Sequence, residues 1–491
     1  MQTAKQVLWL AGWFPSVSNG ASGNFIARHA DAFAEFNAKM GHGYNLHVLH
    51  CALYPFFGKK AIPLNSSSLV YQLLWCPVPQ FGSIGHAGDG QYGDQISPFA
   101  RILNGIVKPI DHVIYTVYLR RFLQLYLRNH GNPVLVHVHA ADKIGRIVPW
   151  LIKRLGVPLW LTEHWAIFNE IVEDGFSKRS ISFQSMYKRL WKILTISAPV
   201  SHSSQKDLQH YLGNVLPSIS SAQTASNCFV MPFVLFRNAV DTKVFYPISG
   251  ISDVEEVSFN KTPIPNREPN PKEDAPANPA ESNAESKGVR NAESNAKKHP
   301  GIKAIKKTGP YRFIHVSSLD VRKNGEGILR AFAQFQIDNK NNATLTMVGA
   351  NNQSMIQLSR SLNIQDKVFF TGNLPIQGVA DAMRAADAFV LFSMMENAPC
   401  VISEALCCGL PVIATHVAGI PEMIFPERNG LLVAVADEDA LSTTFSECMR
   451  IFPDSPYNEI AQDAQNIYGY DAVASTLTRS YQKILNTTCA E

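Results

Sequence analysis

Only 17% of the 491 residues are charged against 46% hydrophobic, which excludes a predominantly disordered chain. The eight cysteines, at 51, 76, 228, 400, 407, 408, 448 and 489, include no C-x-x-C pair, and no histidine stands at zinc-finger spacing. A disulfide scaffold and a zinc module are thereby excluded, and a reducing compartment fits. No uninterrupted apolar run reaches about 18 residues, because Lys108 and Asp111 break the longest candidate, so no membrane span is expected. The opening MQTAKQVLWLAGWFP has only the short apolar run Val7 to Ala11 before Gly12, which reads as a first buried strand and not as a signal peptide. A net charge of +4 over this length excludes a dedicated nucleic-acid binder. A cytoplasmic protein, or one resting on a membrane surface, is the expectation.

What is present is uneven. Residues 1 to 247 carry 22 basic and 12 acidic residues, the remainder 22 and 28, so the front half is basic and the back half acidic. Between Asp253 and Lys307 the chain is rich in Pro, Asn, Glu and Lys, with AESNA at 280 to 284 and again at 292 to 296. Such a segment buries too little apolar surface to offset its ordering entropy and reads as a flexible insertion. On either side, short apolar runs alternate with helical patterns. QVLWLAG, NLHVLHC, PVLVHVH, VPLWLTEH and CFVMPFVLF read as strands in front, YRFIHVSS, TLTMVGA, VFFTG, AFVLFS and PVIATH behind. The expected architecture is α/β: two Rossmann-like doubly wound domains facing a central cleft. The expected boundaries are 1–249 for the first domain, 250–308 for the insertion, 309–470 for the second domain, and 471–491 for a C-terminal helix packing back on the first domain.

The most informative stretch is FSMMENAPCVISEALCCGLPVIATHVAGIPEMI, Phe392 to Ile424. A strand, a turn through MENAP and a helix from about Cys400 to Gly409 place Glu396 in the loop facing the helix N-terminus and Glu404 one turn inside. Free N–H groups at that end attract phosphate. Two carboxylates beside them can accept hydrogen bonds from a sugar hydroxyl and a ribose diol. On periodicity alone, surface carboxylates near a helix cap are an equal reading.

Glu396 and Glu404, separated by seven residues and followed by EALCCGLPVIATHVAGIPEMI, resemble the E(x7)E donor segment of retaining glycosyltransferases of family 4, which have the GT-B fold. FRNAVDTKVFYP, HVSSLDVRKNGEGILRAF, VHVHAADKIG with VPLWLTEHW, and WFPSVSNGASGNFIARHADAF are similar to further segments of that family. The resemblance implies that Glu396 contacts the donor sugar, Glu404 the ribose and Lys323 the pyrophosphate, with His164 at the transfer point. Gly23 would let backbone approach the phosphates. A solvated Lys323, a structural His164 and a plain turn Gly23 stand beside these roles, and at least one of His137 and His139 is expected to be structural.

Two departures matter. Ser318 stands where the family commonly has an arginine, and Arg322 is the candidate to replace it. Asn397, Ala398 and Pro399 follow the first glutamate; Pro399 cannot donate a backbone hydrogen bond, so Cys400 and Val401 are expected to supply those contacts, with Asn397 adding its side chain.

The implied function is transfer of a sugar from a nucleoside diphosphate sugar to a hydroxyl acceptor, a saccharide or lipid-linked envelope polysaccharide precursor. No D-x-D motif lies at a plausible strand end, so neither metal nor cofactor is expected. A nucleotide-sugar epimerase of similar fold and a non-catalytic nucleotide-sugar-binding scaffold are the alternatives. SFQSMYKRLWKIL spaces Phe183, Met186, Tyr187, Leu190, Trp191 and Leu194 helically near Lys188, Arg189 and Lys192, with Arg120, Arg121 and Arg128 as a second basic cluster. It reads either as a core-facing helix or as part of a face resting on the anionic inner surface of the plasma membrane.

Overall fold

The first strand, β1 (Lys5–Ala11), is buried along all but its first residue, and its side chains divide between two faces. Val7, Trp9 and Ala11 enter one apolar cluster and Leu8 and Leu10 another, as alternation along a buried strand requires. A computed structural model describes residues 4–15, 23–53, 57–63, 68–75, 98–164, 167–169, 175–215, 233–247, 309–339, 343–350, 352–454 and 457–488.

After β1 come α1 (Asn24–Met40), β2 (Tyr44–Leu53), β3 (Gly58–Pro63), β4 (Leu69–Trp75), α2 (Pro98–His130), β5 (Leu135–His139), α3 (Val148–Leu155), β6 (Leu159–Thr162), α4 (Ile181–Trp191), β7 (Ile196–Ser197) and α5 (His202–Val215). The second half runs β8 (Tyr311–Val316), α6 (Gly325–Asn339), β9 (Ala343–Val348), α7 (Gln353–Ser361), β10 (Val368–Gly372), α8 (Ile376–Arg384), β11 (Ala388–Leu391), α9 (Cys400–Cys407), β12 (Val412–Thr415), β13 (Gly430–Val433), α10 (Glu438–Ile451), α11 (Asn458–Tyr468) and α12 (Tyr470–Thr488).

The strands form two sheets, ordered β3-β4-β2-β1-β5-β6-β7 and β10-β9-β8-β11-β12-β13. All described pairs are parallel except β3 against β4. Chain order reverses about β1, which pairs with β2 and β5, and about β8, which pairs with β9 and β11. Each reversal opens a crevice beyond the carboxyl ends of the strands, where ligands bind in such sheets.

The helix α12 packs on the first sheet's helix α1: Val473, Ala474, Leu477, Tyr481 and Leu485 share a core with Val7, Trp9 and Phe33. Tyr481 Oη accepts from Trp9 Nε1 at 3.1 Å and lies 2.5 Å from His137 Nδ1. The outgoing and returning chain meet where Val240 N donates to Tyr468 O at 2.8 Å. Residues Met1–Pro247 and Thr308–Glu491 make one compact unit; Ile248–Lys307 make a second, and it and the 250–308 insertion lie outside the described residues.

Three local outcomes differ from the sequence pattern. Of CFVMPFVLF, only residues 233–236 are described, and they follow β7 through Val234 N to Ser197 O (3.0 Å) without forming a strand. In α4, Met186, Tyr187, Leu190 and Trp191 are buried, so that apolar stripe is core. The β13 strand, GLLV, is too short to read from alternation alone.

Candidate active site

Beyond β8 the chain turns through Ser317, Ser318 and Leu319, and Asp320 caps the short turn Val321–Lys323 by accepting from Arg322 N at 2.9 Å. That turn aims Lys323 across the crevice at the loop after β11. Its Nζ lies 2.5 Å from Glu396 Oε1, which also accepts from Ser393 Oγ at 2.8 Å. The two side chains are 23% and 9% exposed, so the pair is largely withdrawn from water, where charge acts over a longer range.

Glu396 precedes α9, whose N-terminus no side chain caps. Its first N–H groups have no partner within the helix, which leaves those of Cys400 and Val401 at the crevice. The Cys400 thiol is pushed up to about 12 by burial, against the pull of Arg28, so it stays protonated and is no nucleophile. Glu404, one turn further on, is buried and receives the guanidinium of Arg28 from α1. Burial lowers and Glu404 raises the proton affinity of Arg28, with a net upward shift.

Gly23 starts α1 with φ 68°, and its carbonyl accepts from Ile26 N at 2.9 Å. A Cβ there would lie 2.6 Å from Phe14 N, so only glycine lets this loop fold over the end of β1. His164 follows β6. Its carbonyl accepts from Asn397 Nδ2 at 3.3 Å, and Asn397 Oδ1 accepts from Ser201 Oγ at 3.0 Å, so Asn397 joins the two halves of the crevice. The His164 ring lies 4.5 Å from that of Phe25, and its Nε2 is 3.3 Å from His139 Nδ1. His137, His139 and His164 are held well below the ordinary histidine range by burial first and then by neighbouring histidines, His29 among them for each, and His29 is lowered to about 4 by burial. The four rings are a neutral, stacked wall.

The structure therefore brings together Lys323, Glu396, Glu404, Asn397, Cys400 and Val401, with Gly23 and His164 on the facing sheet. Arg322 is turned to Asp320 at 3.0 Å and its side chain is 68% exposed, which leaves Lys323 as the cation directed at Glu396. Sequence reasoning missed Arg28, Asn238, which donates to Ala398 O at 2.7 Å, and Glu422, whose carboxylate accepts from the N–H groups of His202 and Ser203 at 2.8 Å. Only Asn238 had a signal, its place in FRNAVD; the others pair across the two sheets at separations that leave no trace in local spacing. Among the described residues, no group of three or more His, Cys, Asp or Glu side chains is placed to hold a metal ion.

Residues 300–454 match the family model of glycosyl transferases group 1. The fold is GT-B: sucrose-phosphate synthase from Thermosynechococcus elongatus superposes with a TM-score of 0.62 at 17% identity, covering 98% of this chain and 100% of that one. N-acetyl-α-D-glucosaminyl L-malate synthase of Bacillus anthracis is 34% identical over 143 residues, 29% of this chain and 35% of that protein. The GDP-mannose-dependent monoacylated α-(1-6)-phosphatidylinositol monomannoside mannosyltransferase of Corynebacterium glutamicum is 30% identical over 155 residues, 30% and 39% of the two chains. The matches thus span little more than a third of these curated relatives.

Proposed function

We propose that the protein is a retaining glycosyltransferase that moves a sugar from a nucleoside diphosphate sugar to a hydroxyl acceptor. The observation that carries this reading is the Lys323–Glu396 pair at the uncapped amino end of α9, with Glu404 one turn along. Departure of a diphosphate concentrates negative charge, and a preorganised ammonium with free helix N–H groups is suited to stabilise it in a dry site. In this reading Glu396 accepts from a hydroxyl of the donor sugar and Glu404 from the ribose diol, and Asn397, in the loop between them, ties that loop to Ser201 and the His164 carbonyl on the opposite side. No step is assigned to a metal or cofactor.

The bond from the anomeric carbon to the diphosphate oxygen breaks, and the bond to the acceptor oxygen forms on the same face. The acceptor proton passes to the leaving phosphate oxygen, so charge and atoms balance without an enzyme nucleophile. His164 borders the transfer point, kept neutral by its own burial and, secondarily, by His29 and His137. The acceptor is a saccharide or lipid-linked envelope polysaccharide precursor, met at the cytoplasmic face of the plasma membrane. The name of the corynebacterial relative, a mannosyltransferase acting on a phosphatidylinositol mannoside, supports this class of acceptor.

A thermal-shift screen of nucleotide sugars tests the reading, since a ligand bound only by the native state raises the Tm. The expected result is stabilisation by one nucleoside diphosphate sugar, followed by transfer with an α-linked product from an α-donor. Stabilisation by none, with no donor consumption, overturns it; donor isomerisation without an acceptor would indicate the epimerase instead.

A further inference from the structure

One face of the first domain has a charge and apolar pattern that the donor crevice does not use. Among the residues whose side chains are described, the helices α2, α3 and α4 and the turn Lys143–Ile147 hold nine Lys and Arg against one acid, Asp111, which is buried, and a second mostly buried acid, Asp142, directly precedes the turn. Along α2, Ile106, Ile110, Val113, Ile114 and Val117 are between 40% and 63% exposed. Their spacing of i, i+4, i+7, i+8 and i+11 puts them on one side of the helix. An apolar stripe within a cationic surface is unlike the mixed charge of an ordinary solvated face.

Beside this stripe is a cavity of about 320 Å³, lined by Val113, Val117, Pro149, Met186, Arg146 and Arg189 among others. The described residues offer neither arginine a carboxylate within 4.0 Å. Arg146 Nη1 donates to Ser182 Oγ at 3.0 Å, whereas its Nε is buried without an acceptor. Among the described residues Arg189 donates to Ser185, through Nε to the carbonyl at 3.3 Å and Nη2 to Oγ at 3.5 Å. A buried guanidinium donor left unpaired is costly, and burial together with nearby Arg189 holds Arg146 below its usual proton affinity against the opposing pull of Asp142. A planar fork of this kind matches a phosphate oxygen pair. The turn carrying Arg146 follows His139 of β5 closely, so the cavity is at the carboxyl edge of the first sheet, the same edge as His164.

We infer that this face docks on an anionic lipid bilayer, seating a lipid phosphate between Arg146 and Arg189 and laying the exposed stripe of α2 into the headgroup boundary. Among the described residues no helix is long and apolar enough to cross a membrane, so the contact is interfacial. It rests on the proposed transferase reading only for the lipid's role, as the carrier that brings the acceptor hydroxyl to the donor crevice.

The test is co-sedimentation of the full chain with phosphatidylcholine vesicles, with and without phosphatidylglycerol, at low and high salt. Arg146→Ala/Arg189→Ala and Val113→Ser/Val117→Ser are compared with wild type, and nucleotide-sugar thermal shift serves as the fold control. Binding is expected to need the anionic lipid, to fall with salt, and to weaken roughly tenfold or more in the arginine variant. It should also weaken in the valine variant, with the nucleotide response kept in both. Wild type that ignores anionic vesicles at low salt overturns the inference, as does vesicle binding unchanged in both variants. Arginine-dependent stabilisation by inorganic phosphate without vesicle binding overturns it in favour of a soluble phosphorylated ligand. Vesicle binding through these residues without any nucleotide-sugar response would leave this docking face standing and sink the transferase reading.

Discussion

Arg28 in the first helix closes onto the carboxylate of Glu404, 376 residues later, and their side chains keep only 16% and 5% exposure. The carboxylate proposed to meet the nucleotide ribose thus already has a cationic partner from the first helix. Any diol that reaches it must share Glu404 with Arg28, which couples nucleotide binding to the contact between the two sheets.

Removing one member of a buried pair leaves the other charge uncompensated. Arg28→Ala is expected to lower the unfolding free energy by roughly 2 to 4 kcal/mol, somewhat below the fully buried case because Arg28 retains some solvent. Glu404→Gln keeps an acceptor for Arg28 and should cost less, while weakening nucleotide binding. Chemical denaturation and nucleotide titration of both variants check this; two wild-type stabilities would show that the pair is dispensable.

For Lys323→Ala the expected loss is in turnover, on the order of 2 to 4 kcal/mol if the ammonium stabilises the departing diphosphate as a preorganised charge. Arg322→Ala, whose side chain faces Asp320, should change turnover far less. Steady-state kinetics of the pair decides between the two cations, and equal losses would argue that position 322 also reaches the phosphate.

Gly23 and Gly156 have nearly the same backbone, φ 68° and 66°, but different surroundings. A Cβ at 23 meets backbone at 2.6 Å, and one at 156 meets nothing within 4 Å. Gly156→Ala should therefore cost only the left-handed strain, about 1 kcal/mol, while Gly23→Ala adds a backbone clash and should exceed about 2 kcal/mol. Matching Tm losses in the two would mean that the loop before α1 moves aside freely.

Stability should fall as pH drops below neutrality. His29, His50 and His315 are each lowered to about 4, chiefly by burial, and His137, His139 and His164 also lie well below the ordinary value. Below about 6.5 the unfolded chain takes up protons that these six rings do not, which costs up to about 1.4 kcal/mol per pH unit for each ring. Burial raises Glu163 to about 7 and Asp31 to about 6, and these two act in the opposite sense, contributing fully at low pH and less as pH rises. Asp142 and Asp207 are also raised, chiefly by burial, and act with them; six rings outweigh these four acids, so the Tm is expected to decline steadily from about pH 7 to about pH 5. A flat profile would show that the histidine wall is open to water.

Transfer is expected to survive excess EDTA, because the reading assigns leaving-group stabilisation to Lys323 and the α9 amides. Complete inhibition reversed by Mg²⁺ would transfer that role to a metal.

Much of this protein is set by local pattern. The short apolar runs in KQVLWLA and YRFIHV specify buried strands, and the seven residues between Glu396 and Glu404 put one carboxylate before a helix and the other a turn inside it. These follow from strand and helix periods, which any reader of the chain can apply. What the pattern leaves open is what covers each face and who meets whom across the crevice. The α4 stripe and the α2 stripe have the same helical spacing, yet packing buries Tyr187 and Trp191 and leaves Val113 and Val117 in water. Arg28 with Glu404, and Asn397 with His164, are joined only once the two halves of the chain pack together. Helical period identifies a face, and spacing orders neighbours along one element; pairing at long separation depends on the packing of whole domains, which no short stretch of sequence encodes.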